Sequence, residues 1–179
     1  MPRALPALGL AAIAVFLSGL PADACGDKLL VLSVGPSFQL ETADHPASIL
    51  LYANPNAPGA KEVGDSQLQS FLRQAGHRLQ TVMGAKELAE GLRTGRPDLV
   101  LASFADAPGL EEMVATASSR PLLLPFVYKG TQADLSAAER RYRCVLKAPA
   151  RSGHWLATLD KAMELRQKQS RVKFKPTTD

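Results

Sequence analysis

The sequence predicts an α/β protein: a three-layer α/β/α sandwich with a mostly parallel five-stranded sheet and an extra N-terminal strand. Three observations support this fold class. Apolar runs of strand length alternate along the chain with stretches of helical periodicity. The apolar runs do not alternate strictly with polar residues, so both faces of each strand are expected to be covered, as in a parallel sheet. Each predicted helix can supply the crossover that two parallel strands require.

The predicted strands are apolar runs separated by turn-forming residues. In chain order they are Lys28–Val34, Ser48–Tyr52, His77–Val82, Leu99–Ser103, Pro121–Val127 and Tyr142–Leu146. Lys28–Val34 (KLLVLSV) stops at Gly35-Pro36 and is the extra strand. It is expected to lie at the sheet edge or across one face, and at an edge it would protect the sheet from edge pairing. The alternative is a flexible arm for a partner.

Helices are predicted between the strands, where apolar residues recur every three or four positions. The first begins at Asp65 or Ser66 and stops before Gly76, a residue type that ends many helices. The same spacing predicts the helices Ala85–Thr94, Gly109–Ser118 and Ser152–Gln167. A short helix is also expected where Ser136 and Glu139 match the capping-box pattern.

The first 24 residues have the order of a secretory signal peptide. Arg3 precedes the uncharged run Ala4–Ala22, and the small residues Ala22 and Ala24 form a cleavage site before Cys25. Cleavage would make the mature protein periplasmic or secreted. An uncleaved membrane anchor is the first alternative. Lipoprotein anchoring at Cys25 is the second and is less favoured, because Ala22 stands where lipidation normally needs Leu.

The chain has two cysteines, Cys25 and Cys144, and an oxidising compartment favours one disulfide between them. The alternative is two unpaired thiols. The formal net charge is +4, and basic residues cluster between Arg166 and Asp179. This tail is expected to be solvated or to contact an anionic surface weakly, and no nucleic acid partner is expected.

Sequence motifs for catalysis or metal binding are missing. His45, His77 and His154 have no Cys, His or Glu at the spacing of a metal site. The chain has no nucleophile elbow, zinc-protease motif, phosphate-binding loop or dinucleotide fingerprint. We therefore expect neither an enzyme nor a bound cofactor.

Short stretches between Ser48 and Arg166 carry a family resemblance when they are taken together and in order. They are Ile49–Tyr52, Leu72–His77, Gly95–Leu101, Arg120–Leu124 and Val145–Pro149. The set resembles the receiver domain of response regulators, which has a flavodoxin-like fold. The chain then divides into a signal peptide (1–24), an N-terminal strand and connector (25–47), a receiver-like α/β domain (48–166) and a basic C-terminal tail (167–179).

The resemblance implies a phosphorylation site, but most of its residues differ here. Receivers hold Mg²⁺ with an acidic pair after the first strand and phosphorylate an Asp at the end of the third. Those positions fall on Ala53, Asn54 and Ser103, and only Lys147, after the predicted fifth strand, matches the family. Mg²⁺ needs carboxylate ligands, and Asp106 alone, in a loop, is not expected to replace them. The resemblance therefore implies a pseudo-receiver that is not phosphorylated.

The function predicted from these observations is an exported, non-catalytic module that binds or scaffolds an unidentified envelope protein. The resemblance implies a partner surface formed by the last helix and the fourth and fifth strands. The alternative is a periplasmic protein that binds a small anion or metabolite. Its ligand would bind at the carboxyl ends of the strands, where the candidate residues are Asn54, Ser103, Tyr128 and Lys147.

Overall fold

The structure is a computed structural model that describes residues 42–172. The signal peptide, the strand Lys28–Val34, Cys25 and the last residues of the basic tail lie outside the described residues, so those predictions remain predictions. The described strands are β1 (Ser48–Tyr52), β2 (Arg78–Val82), β3 (Leu99–Ser103), β4 (Leu122–Tyr128) and β5 (Leu146–Ala148). The helices are α1 (Ala60–Val63), α2 (Ser66–Gln74), α3 (Gly84–Thr94), α4 (Ala107–Thr116), α5 (Gln132–Arg141) and α6 (Ser152–Val172).

The five strands form one sheet in the order β2-β1-β3-β4-β5, and every pair is parallel. The side chains of α2 and α6 pack on one face of this sheet, and those of α3 and α4 pack on the other. The three-layer α/β/α prediction is confirmed. No described helix is both long enough and apolar enough to cross a membrane.

Two apolar cores lie on opposite faces of the sheet, because neighbouring residues of a strand point to opposite sides. In β1, Ile49 and Leu51 face the α2–α6 layer, whereas Leu50 faces the α3–α4 layer. All five residues of β3 are buried. The one tryptophan of the chain, Trp155 on α6, is 1% exposed in the α2–α6 core. This burial on both faces explains why β1, β3 and β4 lack alternation. The expectation that both faces of every strand are covered is wrong for the edge strand β2, where Arg78, Gln80 and Thr81 are exposed.

The chain that enters β1 is tied to elements far along the sequence. The Asp160 carboxylate on α6 accepts hydrogen bonds from the backbone amides of Asp44 and His45, at 3.3 and 2.8 Å. The Asp98 carboxylate accepts one from the Ser48 amide at 2.8 Å and forms an ion pair with Arg166 at 2.7 Å. These contacts fix α6 against the start of the sheet. The helix extends to Val172, five residues beyond the predicted end at Gln167.

The helix between β4 and β5 begins earlier than the sequence predicted. Thr131, and not Ser136, is its N-cap: the Thr131 hydroxyl accepts from the Asp134 amide, and the Asp134 carboxylate accepts from the Thr131 amide. The capping box predicted at Ser136 and Glu139 is therefore wrong. The connection between β1 and α2 contains the short helix α1, which was not predicted from the sequence.

The last strand was predicted over Tyr142–Leu146, but it begins only at Leu146 and is shorter. Contacts with α4 hold the preceding residues away from the sheet. The Tyr142 hydroxyl donates a hydrogen bond to the Glu111 carboxylate on α4 at 2.6 Å, and Arg141 binds the same carboxylate through two nitrogens at 2.7 and 2.9 Å. These contacts hold the chain beside α4. Pairing with β4 begins only at Leu146, opposite Phe126.

Candidate functional site

The candidate site lies at the carboxyl edge of the sheet, where parallel strands end together and open α/β sheets bind ligands. Asn54 follows β1 and Ser103 ends β3. Tyr128 ends β4, and Lys147 lies within β5 rather than after it. The structure brings Asn54 and Ser103 together through a third residue. It places Tyr128 and Lys147 around two neighbouring cavities.

That third residue is Asp106, the half-buried residue before α4. Its Oδ2 atom accepts a hydrogen bond from the Ser103 hydroxyl at 2.6 Å, and its Oδ1 atom accepts one from Asn54 Nδ2 at 2.9 Å. The Asp106 amide in turn donates to Ser103 Oγ at 3.2 Å. Asn54 Oδ1 accepts from the Asn56 amide at 3.0 Å. The polar atoms of this cluster therefore satisfy one another.

The cluster does not fit the Mg²⁺ ion that the resemblance implies. Octahedral Mg²⁺ binds through carboxylates, and usually keeps several waters. The cluster has one carboxylate, Asp106, and both of its oxygens already accept hydrogen bonds from Ser103 and Asn54. Across residues 42–172, no three His, Cys, Asp or Glu side chains are grouped so that they could hold a metal ion. We derive no metal-dependent step for this site.

The Ser103 hydroxyl donates its hydrogen bond to the Asp106 carboxylate, and among residues 42–172 no histidine or lysine side chain is hydrogen-bonded to it. A serine nucleophile is usually activated by such a neighbouring base. The buried histidine, His77, directly precedes β2, so it lies at the amino ends of the strands and not at their carboxyl ends with Ser103. Burial lowers the pKa of His77, and Asp160 partly opposes this effect. Its Nδ1 atom accepts from the Ala47 amide at 3.2 Å, a structural contact.

Two cavities adjoin the cluster. The first, of about 210 Å³, is lined by Ser103, Tyr128 and apolar side chains that include Phe104 and Phe126. Pro58 and Gly59 bring the loop after β1 against β4, and a Cβ on Gly59 would lie 2.7 Å from Tyr128 Cβ. Only glycine permits this approach at the observed φ of +83°.

The second cavity, of about 160 Å³, lies between β5 and the start of α5, and Lys129 and Lys147 both line it. Lys129 has a φ of +48°, which is unusual for a residue with a side chain, and its amide donates to the Ala148 carbonyl at 2.8 Å. The adjacent Asp134 carboxylate has a lowered pKa, because the hydroxyl and amide of Thr131 donate to it. The N-terminus of α5 therefore already has a stabilising negative charge beside it, the carboxylate of Asp134.

Asp106 has a larger role than the sequence predicted. The prediction was a lone loop carboxylate, whereas in the structure Asp106 is the centre of the polar cluster. The available signal was the interval of three residues from Ser103, which allows a turn to bring both side chains together: the Asp106 amide donates to the Ser103 carbonyl at 3.1 Å.

Cys144 is buried beside α6, with its Sγ atom 3.9 Å from the Thr158 carbonyl oxygen. Its predicted partner, Cys25, lies outside the described residues. The disulfide between them remains a prediction.

Comparison with known proteins identifies the fold. No protein-family model and no curated protein sequence matches the chain. The solved structures that it matches include several receiver domains. One matched structure is NtrX from Brucella abortus in complex with ADP, with 17% identity and a TM-score of 0.57, and the match covers 72% of this chain but only 29% of NtrX.

Two isolated receiver domains match over nearly their whole length. The receiver domain of a putative LuxO repressor from Vibrio parahaemolyticus has 6% identity and a TM-score of 0.52, with coverage of 73% of this chain and 100% of the domain. A CheY-like receiver from Methanospirillum hungatei has 11% identity and a TM-score of 0.52, with coverage of 70% and 99%. At these identities the comparisons establish a receiver-like fold.

Proposed function

We propose that this receiver-like domain is an exported pseudo-receiver that binds or scaffolds another protein in the cell envelope and performs no phosphoryl transfer. The observation that carries the proposal is the closed cluster of Asn54, Ser103 and Asp106. Phosphoryl transfer by a receiver needs a free acceptor carboxylate and a metal to offset developing charge. Here Ser103 occupies the acceptor position, and Asp106 is bound by its neighbours.

A candidate partner surface lies at the β5 edge of the sheet. Exposed basic residues that have no acidic partner among the described residues lie on α5, on β5 and in the adjoining loops. They are Lys129, Arg140, Arg143, Lys147 and Arg151. Within the described chain, no carboxylate lies within 4.0 Å of their charged nitrogens, whereas Arg93, Arg141 and Arg166 all have such partners. We call these five residues the basic edge, and their charge favours an acidic protein partner.

Export is part of the proposal and has its own support. The order of charged, apolar and small residues before Cys25 is that of a signal peptide. Intact mass of the purified mature protein, with and without reductant, tests cleavage, lipid attachment and the disulfide together. A chain that retains residues 1–24 and faces the cytosol contradicts export.

The partner surface is tested by charge reversal. The double variant Arg143→Glu/Lys147→Glu changes the basic edge, and Arg78→Glu/Lys86→Glu is the matched control near the opposite sheet edge, where both residues are exposed. The immobilised mature protein is expected to retain an acidic envelope protein, with retention lost at high salt and in the first variant only. Equal retention by both variants, retention of nucleic acid instead, or no retained protein contradicts the proposal.

A second candidate function, binding of a small anion or metabolite, is favoured by the two cavities at the carboxyl edge. Lys129 and Lys147 line one of them and would attract an anion. The expected result is a rise in melting temperature with inorganic phosphate or a carboxylate metabolite, abolished by Lys147→Ala. The absence of any shift in the wild-type protein would exclude this candidate.

A further inference from the structure

The β4 strand has an open stretch on the side that faces β5. Although β4 has seven residues, β5 has three and pairs only with Phe126, Val127 and Tyr128. In residues 42–172, no strand pairs with this side of Leu122–Pro125. An open apolar edge promotes association with other strands. The first half of β4 is therefore a place where another extended segment can bind.

Backbone directions in β4 identify the groups that an added strand would meet. The Leu122 amide donates to the Asp98 carbonyl, and the Phe126 carbonyl accepts from the Phe104 amide, so both residues bond toward β3. Alternate residues of a parallel strand bond to opposite neighbours. Leu123 therefore directs its amide and carbonyl toward the open side. Pro125 directs no donor there because proline has no backbone N–H.

A groove of about 370 Å³ lies along this open stretch. Leu122, Leu123, Pro121 and Val114 supply its apolar lining. Tyr142 and Arg143 form another wall, and Glu111 holds that wall away from β4 by its hydrogen bonds with Arg141 and Tyr142. We call this cavity the β4 groove. Leu122 and Leu123 are only partly buried, so an apolar occupant would remove further apolar surface from water.

We infer that the β4 groove is the binding site of this chain's own segment Lys28–Val34, held there by a disulfide between Cys25 and Cys144. Five of the seven residues of the segment are apolar, and an extended conformation would present backbone groups to Leu123. The β2 edge is a poorer site, because Arg78, Gln80 and Thr81 are exposed along it. The inference rests on the proposed export, which supplies the oxidising compartment, and goes beyond it.

Chain lengths at both ends of the segment permit this arrangement. Gly35–Glu41 connects it to the described chain and can span about 23 Å when extended. The anchor of that chain on α6 is Asp160, about 14 Å along the helix from Gln169, which lines the groove. At the other end, Cys25 is three residues from Lys28, and Cys144 directly follows Arg143 in the groove wall.

Hydrogen exchange of the Leu123 amide tests this inference on the purified, oxidised mature protein without a partner. The amide is expected to exchange slowly in the wild type and in the control Leu40→Asp, and at least about tenfold faster in Leu30→Asp/Leu32→Asp. The Val100 amide, in the central strand, reports that each variant remains folded.

Rapid exchange at Leu123 in the wild type, or unchanged protection in Leu30→Asp/Leu32→Asp, would overturn the inference. Exchange at Leu123 tests only this inference. The proposed function is tested by retention of an envelope protein and by intact mass, so the two can fail independently. A wild-type mass that shows two reduced thiols after non-reducing purification would contradict the disulfide. Faster exchange at Leu123 in Cys25→Ser would support it.

Discussion

Placing a carboxylate at position 103 tests how completely the polar cluster has replaced a receiver site. Ser103 is 3% exposed, and its hydroxyl lies 2.6 Å from Asp106 Oδ2. In Ser103→Asp the hydroxyl donor is lost, and a second negative charge is placed close to Asp106. We expect this variant to be markedly less stable than the wild type at neutral pH.

The expected magnitude follows from two contributions. Loss of the hydrogen bond to a charged acceptor costs about 1.5–3 kcal/mol, and Ser103→Ala measures this part alone. Two carboxylates about 4 Å apart at an effective dielectric constant near 20 repel by about 4 kcal/mol, which relaxation of the longer Asp side chain reduces. We therefore expect Ser103→Asp to be about 2–4 kcal/mol less stable than Ser103→Ala.

Urea unfolding at neutral and acidic pH, with and without Mg²⁺, gives the readout. Repulsion raises the pKa of one carboxyl in the folded variant, so its destabilisation is present at neutral pH and decreases as acid protonates the pair. Mg²⁺ is expected to stabilise Ser103→Asp but not the wild type, because only the variant has two carboxylates to share the ion. Equal stability of Ser103→Asp and Ser103→Ala, or equal Mg²⁺ stabilisation of variant and wild type, would refute the reasoning.

Three further predictions concern the fold. Burial lowers the pKa of His77 from its ordinary value of 6.5, although the nearby Asp160 carboxylate opposes this effect. The free energy of unfolding should therefore fall as the pH drops below 6.5, by at most about 1.4 kcal/mol per pH unit. Urea titrations of His77→Asn should no longer show this pH dependence. Gly59→Ala should cost about 2–4 kcal/mol in urea unfolding, because its φ is +83° and the new methyl group would meet Tyr128; a neutral result would contradict the close packing. Leu159→Ala should cost about 2–5 kcal/mol, since Leu159 is 0% exposed, and a loss below 1 kcal/mol would indicate that α6 repacks.

The parts of the fold that were predicted well depend on local sequence. The bounds of β1 and β3 agree with the predictions Ser48–Tyr52 and Leu99–Ser103. Pro97 and Asp98 precede β3, and Asn54 and Pro55 follow β1 closely, and these residue types are depleted in strands. The order of strands and helices follows from the same local patterns. Burial on both faces could be recognised because these runs contain no regular polar positions.

The errors in the predicted elements come from interactions that a local pattern does not contain. Tyr142 reads as a strand residue, but Glu111, distant in sequence, binds its hydroxyl and keeps it beside α4. Ser136 and Glu139 match a capping box, yet Thr131 and Asp134 offer a competing one with Asp in place of Glu. Sequence alone did not rank the two, because either cap satisfies the exposed amides of a first helical turn.

The sequence predicted where the candidate residues lie in the fold, but it did not predict the hydrogen bonds that join them. The carboxyl edge follows from strand order, so Asn54 and Ser103 were correctly assigned to one region. The link between them depends on Asp106, whose side chain turns back from the start of α4. Lys147 was expected after the last strand. It lies within β5 because that strand begins later than predicted.

The position of Trp155 gives this molecule a built-in optical reporter. With no other indole in the chain, all tryptophan emission comes from one point between α6 and the sheet. Detachment of that helix would bring the ring into water and shift its emission to the red, whatever happens elsewhere. Fluorescence therefore follows one docking event during refolding, and a secondary-structure signal recorded in parallel would show whether the sheet forms before its last helix is seated.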